Sequence, residues 1–166
     1  MVSRDAITVL DRPTLALRAG LCEFPPAMQR TFAVIKPDAV AAGSQGAILA
    51  RIQESGLKLV AAKSLRLSEE QAKGFYHVHA ERPFFGELVA FMTEGPIVAL
   101  VLEGEDAIKR WRDLMGPTNA EEAPKGTMRG DFGTNIERNA THGSDAEDTA
   151  AFEIGYFFNG LELAGL

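Results

Sequence analysis

The 166-residue chain carries 17 Lys and Arg against 23 Asp and Glu, a net charge of −6, with 46% hydrophobic and 24% charged residues. That balance excludes a general nucleic-acid coat, which needs a broad basic footprint, and intrinsic disorder, yet leaves room for an anionic ligand held by a few focused cations. The longest aliphatic run, Ile97–Leu102, is far short of the roughly 18–20 residues that span a bilayer, and the single Cys22 excludes an intramolecular disulfide or a cysteine-based zinc site, in keeping with a cytoplasmic protein.

Residues 1–27 hold three basic residues (Arg4, Arg12, Arg18) and three acidic ones (Asp5, Asp11, Glu23), so the acidity belongs to residues 28–166. Their apolar positions are too scattered for a secretory core, and they end in the stiff run Phe24-Pro25-Pro26. They read as a poorly ordered extension rather than a docking helix, with Met28 as an alternative start, ahead of one domain over residues 28–166. Thr31–Lys36 reads as a short strand stopped by Pro37. Ser44 is placed to cap a helix through about Ser55, with Ile48 and Ile52 on one face and Gly56 just past its end. Leu57–Leu67 comes next as a longer strand, and Ser68-x-x-Gln71 is a capping box opening a helix. Pro83 suits the first residue of another helix, in which Phe84, Leu88 and Phe91 recur at helical spacing. Pro96–Glu103 reads as a buried strand. Glu105–Met115 reads as a helix with Ile108, Trp111 and Met115 inward. A loop from Gly116 to about Asn135 is long enough to imply function. A short strand near Ala140–Gly143 precedes a last helix, capped by Ser144-x-x-Glu147 and ending near Phe158. Strands and helices interleave as in an α/β sandwich.

The last helix contains a misplaced acid. Ala146, Ala150, Glu153 and Phe157 fall on one stripe, so the Glu153 carboxylate faces the protein and needs a partner. His142, just upstream, is the nearest candidate. A carboxylate on one ring nitrogen fixes the tautomer and leaves the other nitrogen as a nucleophile; a surface Glu and a structural His fit the spacing equally well. Arg112 borders the apolar face of its helix, where it either bends into a cleft or answers the helix dipole. Arg129 lies between glycines in Gly126-Thr127-Met128-Arg129-Gly130-Asp131, and Lys36 ends a strand at a rim position. Neither Gly-rich nucleotide fingerprint is present. His77-x-His79 lacks a third metal ligand at a usual spacing.

Asn139-Ala140-Thr141-His142-Gly143-Ser144-Asp145 closely resembles the active-site signature of the nucleoside diphosphate kinase family. Thr31–Val40, Glu81–Phe85, Gly95–Val98 and Gly126–Phe132 resemble further family motifs, in the same order and spacing, so the likeness runs from Met28 to Phe158. The resemblance implies a ferredoxin-like βαββαβ fold, a four-stranded antiparallel sheet covered by helices. It also implies ping-pong transfer of a γ-phosphoryl group from a nucleoside triphosphate to a nucleoside diphosphate, ATP and GTP among them. His142 matches the phosphorylated nucleophile, Glu153 its carboxylate partner and Ser144 a neighbour. Arg112, Thr118, Arg129 and Tyr76 match the phosphate-holding groups, with His79 a further contact in some members. Lys36 and Asn139 match the sugar contacts, Phe84 the residue that stacks on the base, and Ile136 the wall opposite. Mg²⁺ is implied as an ion carried by the nucleotide phosphates, with no protein metal site.

Two departures from the family pattern, Lys125 where Pro is frequent and Ala120 where Pro is common, fall in the loop that packs between subunits. The tail after Phe158 resembles the short bacterial type, for which a homo-oligomer is expected, a tetramer in preference to a hexamer. Nucleic-acid and membrane partners are not expected. Two readings of other classes stand beside the kinase: a phosphohistidine relay to a protein acceptor, and a non-catalytic ferredoxin-like nucleotide-sensing module. The complete set of His142, Arg112, Arg129, Lys36 and Asn139 argues against an idle module, and Phe84 with the sugar pair is superfluous in a relay.

Overall fold

A computed structural model describes residues 28–164, so the segment 1–27 read as an extension lies outside the described residues. Four strands, β1 (Met28–Ile35), β2 (Lys58–Leu65), β3 (Ile97–Glu105) and β4 (Thr141–Gly143), form one antiparallel sheet in the order β2-β3-β1-β4. That order is the ferredoxin-like one, with β1 and β3 central.

The central strands are almost continuously apolar because both faces of the sheet are covered. Alternation then sorts their side chains. Phe32 and Val34 of β1, with Ile97, Ala99 and Val101 of β3, face one core shared with Phe75, Met92 and Phe157. Ala33, Ile35, Leu100 and Leu102 face the other, against Ile48, Ile52, Trp111, Met115 and Met128. The first face is covered by α3 (Glu69–Phe75), α4 (Phe85–Thr93) and α7 (Glu147–Phe157). The second is covered by α1 (Pro37–Ala41), α2 (Gln45–Glu54), α5 (Ala107–Met115) and α6 (Met128–Phe132). A short α8 (Gly160–Leu163) closes the described chain.

Several sequence expectations are corrected. β1 begins three residues early, at Met28, because polar Gln29 and Arg30 pair with Gly104 and Glu103, and Arg30 Nε meets the Glu103 carboxylate at 2.8 Å. Pro37 stops β1 but also opens α1, since its fixed φ suits a first helical turn. Ser44 precedes α2 without a side-chain cap, its backbone being helical, whereas the capping box at Ser68 and Gln71 is present in full. α4 starts at Phe85 rather than Pro83. The long loop holds a 3₁₀ turn at Ala120–Glu122 and all of α6, whose first turn is capped by Thr127 Oγ1 accepting from Gly130 N. Gly130 is needed there because a Cβ would lie 2.2 Å from Pro124 O. Ser144 does not cap α7; Thr149 Oγ1 accepts from Ala146 N at 3.0 Å instead, and Ala146 is exposed rather than part of an inward stripe.

Candidate active site

The antiparallel register of β1 and β4 sets Val34 opposite His142 on the face that carries Phe32 and Phe75. The imidazole lies edge-on to Phe32, Phe75 and Tyr76, with centroids at 6.3, 5.4 and 6.1 Å. From the opposite face of the sheet, Trp111 Nε1 donates to His142 O at 3.1 Å. Gly143 permits this approach, because a Cβ there would lie 2.3 Å from Trp111 Cδ1.

Glu153 of α7 completes the support. Its Oε1 lies 2.9 Å from His142 Nε2, and its Oε2 accepts from Ser144 Oγ at 2.5 Å. A carboxylate only accepts, so Nε2 carries the proton and Nδ1 keeps the lone pair. Ser144 is itself pinned to β1, its Oγ accepting from Phe32 N at 3.3 Å. The hydroxyl that sequence reading assigned to a helix cap thus orients the carboxylate that orients the imidazole. The Tyr76 hydroxyl is buried without a partner among the described residues. Burial and the nearby Glu153 both push the phenol's pKa up, so it stays a neutral donor.

A second cluster gathers where β1 ends and β4 begins. Lys36 Nζ donates to Asn139 Oδ1 at 2.6 Å, and Asn139 Nδ2 donates to the carbonyls of Thr118 at 2.9 Å and Ile136 at 3.0 Å. The two clusters are joined by a tight turn. Lys36 N donates to Ala140 O at 2.8 Å, Thr141 N donates to Asn139 O at 2.7 Å, and Ala140 takes φ +64°, a conformation that costs a non-glycine residue of order 1–2 kcal/mol. Asp38 secures this strained residue, its Oδ2 accepting from Ala140 N at 2.9 Å.

The cations are crowded. Burial pulls the Lys36 amine down to about 8, with Arg129 adding to the depression and Asp38 opposing it. Burial and Arg112 together pull Arg129 down to about 10, still charged at neutral pH. Arg129 forms no ion pair among the described residues; Nη1 donates to Gly116 O at 2.9 Å and Nη2 to Thr141 O at 3.2 Å. Three positive side chains that raise one another's energy make a site for a polyanion. Arg112 is exposed, and Asp145 is held below the usual carboxylate range first by the Thr149 hydroxyl, which donates to its Oδ1 at 2.8 Å, and then by the nearby Arg112.

Phe84 joins the first cluster through an aromatic chain, 5.8 Å from His79, which stacks on Tyr76 at 6.3 Å. Phe84 and Ile136 expose 47% and 60% of their surface, so each offers an apolar face to solvent. Contacts thus join His142, Glu153, Ser144, Tyr76, His79 and Phe84 in one cluster and Lys36 with Asn139 in a second, with Arg129 bonded to the Thr141 carbonyl between them. Sequence reading missed Asp38, Asp145 and the role of Trp111; the one usable signal was that a buried indole needs an acceptor for its N–H.

Among the described residues no group of three His, Cys, Asp or Glu side chains gathers at a metal-binding distance, and no helix is long and apolar enough to cross a membrane. A ferredoxin-like sheet that presents a carboxylate-braced histidine beside crowded cations defines a class, the phosphotransferases acting on phosphate-bearing substrates. The comparisons narrow the class. The family model for nucleoside diphosphate kinase matches residues 29–163. A nucleoside diphosphate kinase of Oleidesulfovibrio alaskensis is 60% identical over 137 residues, 82% of this chain and 99% of that protein. One from Desulfovibrio desulfuricans is 61% identical with the same coverage. Among solved structures, the Aquifex aeolicus nucleoside diphosphate kinase superposes with TM-score 0.81 at 50% identity, over 83% of this chain and 100% of that one. A halophilic enzyme from Halobacterium salinarum, solved in complex with CDP, gives TM-score 0.81 at 44% identity, over 84% and 93%. The chain belongs to the nucleoside diphosphate kinase family.

Proposed function

We propose that the chain moves the γ-phosphoryl group between nucleoside tri- and diphosphates through His142 Nδ1. The observation that carries this is the bond from Glu153 to Nε2, which leaves Nδ1 as the nucleophilic nitrogen. In the first half-reaction Nδ1 attacks the γ-phosphorus, the bond to the β–γ bridging oxygen breaks, and the diphosphate leaves. The second half-reaction reverses this on the terminal oxygen of an acceptor diphosphate. Proton placement on Nε2 lets the ring carry the developing positive charge against Glu153, and Ser144 keeps that carboxylate in line. Arg112, Arg129, Tyr76 and Thr118 bind the phosphate oxygens, where a loose transition state is stabilised mainly by position and charge. Lys36 and Asn139 take the sugar hydroxyls. Phe84 stacks on the base with Ile136 on its other side, which suits all bases because each has a π-face.

The side chains suit a Mg²⁺ that arrives on the nucleotide, since Glu153 is committed to His142 and Ser144, while Asp145, exposed and oriented by the Thr149 hydroxyl, would be the carboxylate available to the hydrated ion. When bound, the ion supplies charge neutralisation at the phosphates. The proposal extends to a cytoplasmic homo-oligomer, a tetramer in preference to a hexamer. For self-association its support is the outer edge of β2, which pairs with no further strand among the described residues and so suits pairing between copies.

The test is to incubate the protein with Mg²⁺ and γ-labelled ATP and then add GDP. The expected result is an acid-labile, base-stable label on the protein that chases into GTP, with none on His142→Ala. Label that will not chase to any nucleoside diphosphate would favour the protein relay, and no label at all the sensing module.

A further inference from the structure

The wall of the nucleoside end is a loop, residues 134–139, that closes on itself. Thr134 N and Asn135 N donate to Arg138 O at 2.8 and 3.4 Å, and Asn135 Oδ1 accepts from Glu137 N and Arg138 N at 3.0 and 2.8 Å. It carries Ile136 and ends in Asn139, whose side chain also braces the Ile136 carbonyl. Such bonds fix a loop's internal shape but not its place on the domain. Its last residue is tied to Lys36 and Thr118 through the Asn139 side chain, and on the α4 side its place is held by Arg138, whose Nη1 and Nη2 donate to Glu94 Oε1 and Oε2 at 2.6 and 2.8 Å. The planar fork matches the carboxylate two-for-two, a geometry that specifies direction as well as distance. The guanidinium also lies over the Phe91 ring, 5.0 Å from its centroid. Glu94 follows the last residue of α4, and its carbonyl accepts from Arg66 Nη2, so the acceptor is itself held. α4 therefore has Phe84 at its N-terminal end and the loop's anchor at its C-terminal end.

We propose that the Arg138–Glu94 pair is a positioning latch for the nucleoside, fixing the loop on α4 so that Ile136 and Asn139 stand correctly relative to Phe84; this rests on the nucleotide-binding function proposed for the site. Arg138 and Glu94 act through those residues and not on the phosphoryl group, so the latch governs affinity for the nucleoside rather than the chemical step. The side chains of the pair are 45% and 40% exposed, so water and salt screen it and the effect is moderate.

Steady-state kinetics and amide hydrogen exchange test this together. Arg138→Gln and Glu94→Gln should each raise KM for a nucleoside diphosphate about two- to fivefold with kcat within about twofold, and should speed exchange across residues 134–139. The exchanged pair, Glu94→Arg with Arg138→Glu, should restore both. An unmoved KM overturns the latch, whether or not exchange changes, and so does a fall in kcat without a rise in KM. Exchange is read without substrate. If the wild-type protein turned over no nucleotide, the functional reading would fail, while exchange in the variants would still decide whether the pair holds the loop.

Discussion

The two ends of the site are built to different standards. At the phosphate end the nucleophile lies on a strand, its carboxylate partner on a helix, and its carbonyl is held by an indole from the far side of the sheet. At the other end Phe84 and Ile136, the side chains proposed to face the base, are exposed, and Ile136 belongs to a loop. Phosphoryl transfer tolerates little misplacement, whereas stacking on a base needs only a flat apolar surface. On the proposed function the contrast teaches that the tightest support stands where bonds change, while the base meets exposed apolar side chains on a backbone held from the side by Asn139 and Arg138.

Three perturbations would sharpen or break this contrast. Arg112→Ala should lower kcat by about 10²–10³-fold, the usual cost of removing one donor that stabilises transition-state charge. Arg112 is exposed, so the thermal midpoint should hardly move; equal losses of activity and stability would erase the distinction between chemical and structural roles at that end. Phe84→Ala should raise KM about tenfold, by a similar factor for adenine, guanine and pyrimidine nucleotides, with kcat preserved. A strong bias among bases would mean that the nucleoside end reads base edges after all. The smallest effect concerns pH. With Lys36 at about 8 in the free protein, kcat/KM should fall less than tenfold between pH 7.5 and 8.5 as the ammonium is lost. kcat should stay flat, because bound phosphates favour the charged amine. Stability should move the other way: from about 8 up to the ordinary lysine value, the unfolded chain binds more protons than the folded one, so Lys36 adds stability as pH rises. Denaturant titrations at pH 8 and 10 would show the opposite trends.

The buried strand at Pro96–Glu103 and the helical spacing of Ile108, Trp111 and Met115 were readable because an apolar run and a repeating apolar stripe are what burial demands. The Glu153–His142 pair was readable for a related reason, an acid on an inward stripe, although Ala146 proved to lie outside that stripe. α6 was hidden because its five residues contain a glycine and no repeating apolar pattern. Ser144 carried two readings, a helix cap from its spacing to Glu147 and a neighbour of His142 from the family resemblance, and the hydroxyl is committed to Phe32 and Glu153 rather than to a helix cap. Asp38 lies 102 positions from the strained Ala140 it secures, a relation no local pattern encodes.

Trp111 is the single tryptophan of the chain, and its indole N–H bonds the carbonyl of His142 itself. A protein with one indole has one source of tryptophan emission. Here that source is bonded to the backbone of the residue assigned to carry the phosphoryl group, so a change of charge at the imidazole is expected to alter the intrinsic fluorescence, which would let a stopped-flow trace follow each half of the transfer without added dye.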